Sequence, residues 1–404
     1  MDASAALVRH DAKVLGLISV GHFLSHFYML SLPTLFIFLN RDLGIAYTLL
    51  GVLLSARYVA TGVTQTPVGF LVDRYGAKVL LIAGMLLMVT AFTLLALVSN
   101  FWLLLLLVIL VGIGDAVFHP ADYAILNGSI SAGRMGRAFS IHTFSGHLGF
   151  AAAPVVITLL SSLWDWRVAL IIVGALSYAV VGVLITQWSN LEDDTGRVRR
   201  DEEDVEASIP MRRFADHTRL LTSRPVILLF SFFAMSTLAG NALSSFAIPA
   251  LNALHQVSAV NAGFAVSTFM FVSSLAVLVG GKFADDITRH DRFAAGMYLL
   301  FIVAVLSIPL LGGQYYLVIL FFGVAGFCHG VIRPARDLMV REVAPPGSTG
   351  KVFGFIFTGQ NVGGGIAPLI LGTMMDRFPP QWIFFTGVVF AALCILTIMV
   401  PRSK

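Results

Sequence analysis

The chain has 404 residues, 57% of them hydrophobic and 12% charged, with 26 Lys+Arg against 22 Asp+Glu and a formal net charge of +4. A soluble domain carries about twice that charged fraction, so a water-facing globule, a disordered chain and a fibre are all excluded and the fitting solvent is a bilayer. The basic residues stand singly or in pairs between apolar runs rather than on one face, which argues against nucleic acid as a partner, and Cys328 and Cys394 sit in apolar stretches as small hydrophobes.

Residues 1–13 show no cleavage pattern and the run after them is too long for a signal peptide, so the first helix is expected to stay in the mature protein. A span of roughly 20 apolar residues crosses a hydrocarbon core of about 30 Å. By that measure apolar runs lie near 14–39, 48–72, 79–98, 101–126, 137–160 and 165–187, then near 224–251, 260–283, 292–311, 314–340, 351–374 and 381–401. Between the two sets of six lies the interval 189–223, which with Arg224 holds seven basic and nine acidic residues. It reads as a solvated cytoplasmic linker, with a short surface helix over 210–222, between an N-terminal bundle (1–188) and a C-terminal bundle (224–404). The expected fold class is an all-α membrane protein of twelve transmembrane helices in two pseudo-symmetric six-helix bundles.

Lys and Arg set the orientation of such a chain. With both termini inside, the inner segments hold 22 of the 26 basic residues, the outer segments hold Arg41, Arg167 and Arg377, and Arg57 stands within a span. The halves also repeat. Gly69 and Asp73 are answered by Gly281 and Asp285 at an offset of 212, while Pro120, Gly136, Arg137, Phe139, Gly149 and Pro154 are answered by Pro334, Gly350, Lys351, Phe353, Gly363 and Pro368 at 214. Paired bundles of common design suit a cavity on the axis between them, opened to each side in turn.

The stretch Gly69-Phe70-Leu71-Val72-Asp73-Arg74-Tyr75-Gly76-Ala77-Lys78, between the second and third spans, resembles the signature of the major facilitator superfamily, and the 6+6 arrangement matches that family over nearly the whole chain. Phe118-His119-Pro120 and His22-Phe23-Leu24-Ser25-His26 resemble the fosmidomycin-resistance-type branch of bacterial facilitators. The resemblance implies a monomeric secondary transporter of the bacterial inner membrane, with the signature as a cytoplasmic gate. The fourth span lacks the Arg usual in drug/proton antiporters, and Gly146, Gly149 and Pro154 form only a loose version of the antiporter motif. Physically, Gly69 would let two helices approach closely, Asp73 would meet backbone donors at a helix end, and Arg74 and Lys78 would pair with acids. In the second half Arg336, with Asp337 or Asp285, is expected to form the corresponding latch.

Ionisable groups at bilayer depth cost at least about 2.5–3.5 kcal/mol each and are functional candidates by default. Asp115, His119 and Asp122 fall at i, i+4 and i+7 on the fourth span and share a helix face, although Asp122 is also compatible with the cytoplasmic end. They are the proton-coupling candidates. Arg57 on the second span is placed to pair with Asp115. His22 and His26, one turn apart on the first span, can relay a proton or bind a polar solute; no third or fourth ligand of convincing spacing accompanies them, so no metal is expected. His147 is preferred over His142 as a cavity residue because Gly146 and Gly149 flank it. His329, Asn241, Gln360 and Asn361 complete the solute-cavity candidates.

No phosphate-binding Gly-Lys-Ser/Thr loop and no nucleophile, base and oxyanion set occur in the sequence, so neither ATP hydrolysis nor enzymatic chemistry is expected, and no cofactor beyond the proton gradient. The leading expectation is proton-coupled efflux of a drug or metabolite. The alternatives are proton-coupled uptake of a small organic anion, for which Arg57 suits a carboxylate or phosphonate, and a non-transporting sensor or scaffold.

Overall fold

The computed structural model describes residues 3–192, 220–312, 314–344 and 349–400. Its regular elements are helices, and no strand occurs among the described residues. In chain order they are α1 (Ala3–Thr34), α2 (Phe36–Leu43), α3 (Tyr47–Tyr75), α4 (Ala77–Leu94), α5 (Phe101–Asp115), α6 (Phe118–Ser129), α7 (Met135–Leu163) and α8 (Trp166–Thr186) in the first half. The second half gives α9 (Arg224–Ser244), α10 (Ala247–His255), α11 (Ala259–Asp286), α12 (His290–Ser307), α13 (Tyr315–Val343), α14 (Thr349–Arg377) and α15 (Trp382–Met399). The expected linker and its surface helix fall almost wholly outside the described residues.

Among the described residues, ten helical segments are long and apolar enough to cross a bilayer. Twelve were expected, and the two that fall short do so on polarity rather than length: α3 and α14 each have 29 residues, about 43 Å of helix. Ser55, Arg57, Thr61, Thr64 and Gln65 interrupt α3, and Gln360 and Asn361 sit among glycines on α14. Elsewhere large apolar side chains are turned outward, as Trp102, Leu103 and Leu106 of α5 are, where lipid rather than water is the natural neighbour.

The internal repeat holds down to single hydrogen bonds. α7 and α14 have equal length and begin and end 214 residues apart. At the turn after α2, the Asn40 side-chain amide donates to the Ile45 carbonyl at 3.0 Å, and 212 residues later Asn252 donates to Val257 at 3.0 Å. Both turns use a left-handed residue to end the preceding helix, Gly44 (φ 64°) in one and Gln256 (φ 55°) in the other. Side-chain caps start the helices where the sequence offers them: Asn100 accepts from the Trp102 and Leu103 amides, Asp165 from Arg167 and Ser258 from Asn261.

Contacts divide the chain into two units, one of Met1–Leu32 and Ala56–Ile209, the other of Pro33–Ser55 and Pro210–Lys404. The segment Pro33–Ser55 therefore packs with the second unit, a grouping that a linear division at residues 188 and 224 does not contain. Within that unit the Asp376 carboxylate of α14 accepts the Tyr47 amide at 2.9 Å and the Thr48 amide and hydroxyl at 2.7 Å each, capping α3 from another helix. A Cβ at Gly51 would run into the Pro368 carbonyl, and one at Gly372 into the Tyr47 carbonyl, so α3 and α14 touch through glycines.

Candidate functional site

The buried polar groups of the first unit gather around the fourth span. Residues 101–129 form one span whose helix is interrupted at Ala116 and Val117, which keep right-handed helical dihedrals. Pro120 has no N–H for the Ala116 carbonyl four residues back, which accounts for the interruption. Asp115 ends α5 above it, and His119 and Asp122 lie below it on α6.

Asp115 meets two partners. Its Oδ2 accepts from Arg57 Nη2 at 2.8 Å, the pairing expected from the sequence, and its Oδ1 accepts from the Ser25 hydroxyl of α1 at 2.7 Å. Arg57 is 1% exposed. Gly112 is what brings α5 this close: a Cβ there would stand 2.7 Å from the Arg57 carbonyl oxygen. The guanidinium also lies 5.5 Å from the Tyr58 ring centroid, yet its Nε and Nη1 have no hydrogen-bond partner among the described residues.

Asp122 belongs to a second buried cluster. It is fully buried, with Oδ2 3.3 Å from His22 Nδ1 and 3.5 Å from His142 Nε2. The His22 and His142 rings stack with centroids 3.9 Å apart at 28°. His26 stands 4.4 Å from His22, and His119 presents an edge at 5.3 Å. His147, the residue preferred from sequence, is more peripheral: half-buried, with its ring 6.4 Å from that of His26.

His142 is the residue that the sequence reading passed over. Its signal lies in register: Ala138, His142, Gly146, Gly149 and Ala153 are all buried on α7 at steps of four, four, three and four, one continuous helix face. His147 is one position off that stripe. Gly146 is small because the histidines need the room; a Cβ there would stand 2.5 Å from His22 Cδ2 and 2.7 Å from His26 Nδ1. The partners that linear spacing does not offer His22 thus come from α6 and α7.

One further buried acid tethers this unit. Asp11 of α1, 5% exposed, accepts from the Ser131 hydroxyl and from Arg134 Nη1, each at 2.8 Å, in the turn before α7. The signature residues are looser. Among the described residues nothing lies within 4 Å of a Cβ at Gly69, so the close helix approach expected there is absent from this conformation. Asp73 is exposed with no hydrogen bond among the described residues, Arg74 lies over Tyr75, and Lys78 lies 5.3 Å from the Trp188 ring.

In the second unit His329 packs against Gly240 and Phe269. Arg336 pairs with Asp337 at 3.0 Å and covers the Phe233 ring at 4.1 Å; the Asp285 side chain lies outside the described residues. Asn241 is satisfied locally, donating to the Thr237 carbonyl and accepting from Ser245. Gln360 is half-buried and Asn361 exposed on α14.

Residues 18–240 and 230–404 match the sequence model of the Major Facilitator Superfamily. The chain belongs to the major facilitator superfamily. It is similar over its whole length, at 25% identity and 96% of the relative, to the fosmidomycin resistance protein of Escherichia coli (strain K12). Over 92% of the chain and 90% of the relative it is 25% identical to the multidrug resistance protein MdtH of Proteus mirabilis (strain HI4320). A solved bacterial homologue of the human lysosomal transporter Spinster, inward-facing and unoccupied, superposes with a TM-score of 0.80 at 17% identity, covering 96% of this chain and 97% of that one. The chain is therefore a multi-pass membrane transporter and not an enzyme, and a non-transporting sensor or scaffold no longer fits it.

Proposed function

We propose that this facilitator exports a drug-like or metabolic solute across a bacterial inner membrane in exchange for protons, working as a monomer with both termini in the cytoplasm and no cofactor other than the proton gradient. The observation that carries the coupling is the buried Arg57–Asp115–Ser25 set. Ionised, the pair is neutral as a whole, which is how a charge can persist at this depth. A proton on Asp115 removes the anionic half and leaves Arg57 uncompensated, so the protonated and deprotonated forms favour different packings of α1, α3 and α5. The Asp115 charge in turn acts on Tyr58 of α3, His22 of α1 and His119 of α6. Direction is supported by the two relatives, a fosmidomycin resistance protein and a multidrug resistance protein.

The sign of coupling follows from what the solute replaces. A solute that donates a positive or hydrogen-bonding group to Asp115 competes with the proton, and competition gives exchange. One observation favours a second reading: the partnerless Arg57 Nε and Nη1 suit an anion, whose binding favours the protonated Asp115. Proton and anion then travel together, which is symport and uptake.

Purified protein in liposomes with a trapped pH dye separates the two. Organic acids, phosphonates and cationic drugs are presented outside, with Asp115→Asn as the matched control. Interior acidification on solute entry supports symport and alkalinisation supports antiport. Solute movement without proton movement in the wild type overturns both.

A further inference from the structure

We infer that His22, His142 and Asp122 form a binding site for a divalent first-row transition metal ion of the Zn²⁺ kind, a site that stands or falls independently of proton coupling at Asp115. One ligand atom from each residue lies within 4.8 Å of the others, and all three residues are buried. The two carboxylate–imidazole separations are those of ligands of one ion, and the two imidazole donors lie within 4.8 Å of each other, so a small turn of the stacked rings completes the set. A tetrahedral ion about 2.0–2.1 Å from each donor holds those donors about 3.3 Å apart; the carboxylate oxygen stands 3.3 Å from His22 Nδ1 and 3.5 Å from His142 Nε2.

The second observation is the absence of satisfaction. Both Asp122 oxygens, His22 Nδ1 and both His142 nitrogens are buried without a hydrogen-bond partner among the described residues. A carboxylate fully removed from water with no donor is costly, and the buried Arg57 is bound to Asp115 instead. A cation between the three residues offsets that cost by taking one donor from each. Two imidazoles and one carboxylate select a transition metal over Mg²⁺ or Ca²⁺, which take oxygen shells. Three protein ligands leave a fourth position for water or solute. The ion would join α1, α6 and α7, and Gly146 keeps the imidazoles within reach.

The test uses the full chain purified without a histidine tag, stripped with chelator and titrated with Zn²⁺ by calorimetry and with Co²⁺ by visible absorption. One equivalent should bind the wild type and Asp115→Asn, with the ligand-field bands of tetrahedral cobalt. Loss of an outer partner alone weakens metal sites about 10–100-fold, so Asp122→Asn and His142→Gln, both direct ligands, should lose at least about 100-fold. His22→Cys keeps a donor in place and should show a sulfur-to-cobalt charge-transfer band. That variant decides the matter if the others fail to fold. No saturable site in the wild type, equal binding in Asp122→Asn and His142→Gln, or a folded His22→Cys protein without the band overturns the inference.

Discussion

His22 of α1 lies flat against His142 of α7, ring centroids 3.9 Å apart, and both approach the same oxygen of the fully buried Asp122. Two imidazoles in that relation require close helix approach, and α7 supplies it with glycine. Gly146→Ala places a methyl 2.5–2.7 Å from His22 and His26 ring atoms, and Gly149→Ala drives one into the Phe23 carbonyl of the backbone. Rings can turn where backbone cannot, so Gly149→Ala is the more damaging of the two. Overpacking of this kind costs about 1–3 kcal/mol, and thermal unfolding in detergent should rank wild type above Gly146→Ala above Gly149→Ala.

Asp115→Asn leaves Arg57 buried and charged without its partner. Breaking a buried pair on one side costs about 3–5 kcal/mol, whereas removing both charges is often neutral. Chemical unfolding should therefore find Asp115→Asn strongly destabilised and the double variant Arg57→Gln, Asp115→Asn restored most of the way to wild type. A double variant no more stable than the single one would show that the ion pair does not carry the cost.

The two repeats end their short helices in the same left-handed conformation, but only the first has glycine there. Gln256 at φ 55° carries the side-chain penalty that Gly44 avoids, about 1–2 kcal/mol. Gln256→Gly is expected to raise stability by about 0.5–1 kcal/mol after the entropy that glycine adds to the unfolded chain, read as a higher unfolding midpoint.

Asp376 caps α3 through two amides and a hydroxyl. Loss of such a cap costs about 0.5–2 kcal/mol. Asp376→Ala should lower stability by that amount and raise amide exchange at Tyr47 and Thr48, with no change at the first turn of α8, which Asp165 caps.

The twelve-run pattern and the repeat were legible because a bilayer imposes length and composition on each span separately. Arg57 and Asp115 were legible for a related reason: charges at depth are few, and opposite ones seek each other. His142 was not, because flanking glycines drew attention to His147 when the helical register of the small residues was the better guide. The burial of Asp122 depends on α1 and α7 closing over α6, which no spacing within one helix encodes. The Asp376 cap joins residues 328 and 329 positions apart and leaves no local trace. At Gly69 the signature suggests a tight contact, and the described packing has none in this conformation.

The proposal that Asp115 couples the solute to protons is tested most directly by comparing two transport modes in liposomes for one identified solute. Gradient-driven movement needs a proton to load and unload, whereas counterflow, with solute on both sides and no gradient, needs only binding and reorientation. Folded Asp115→Asn is expected to retain counterflow and lose gradient-driven movement. Gradient-driven movement at the wild-type rate in Asp115→Asn would contradict the assignment and make Asp115 a partner of Arg57 only.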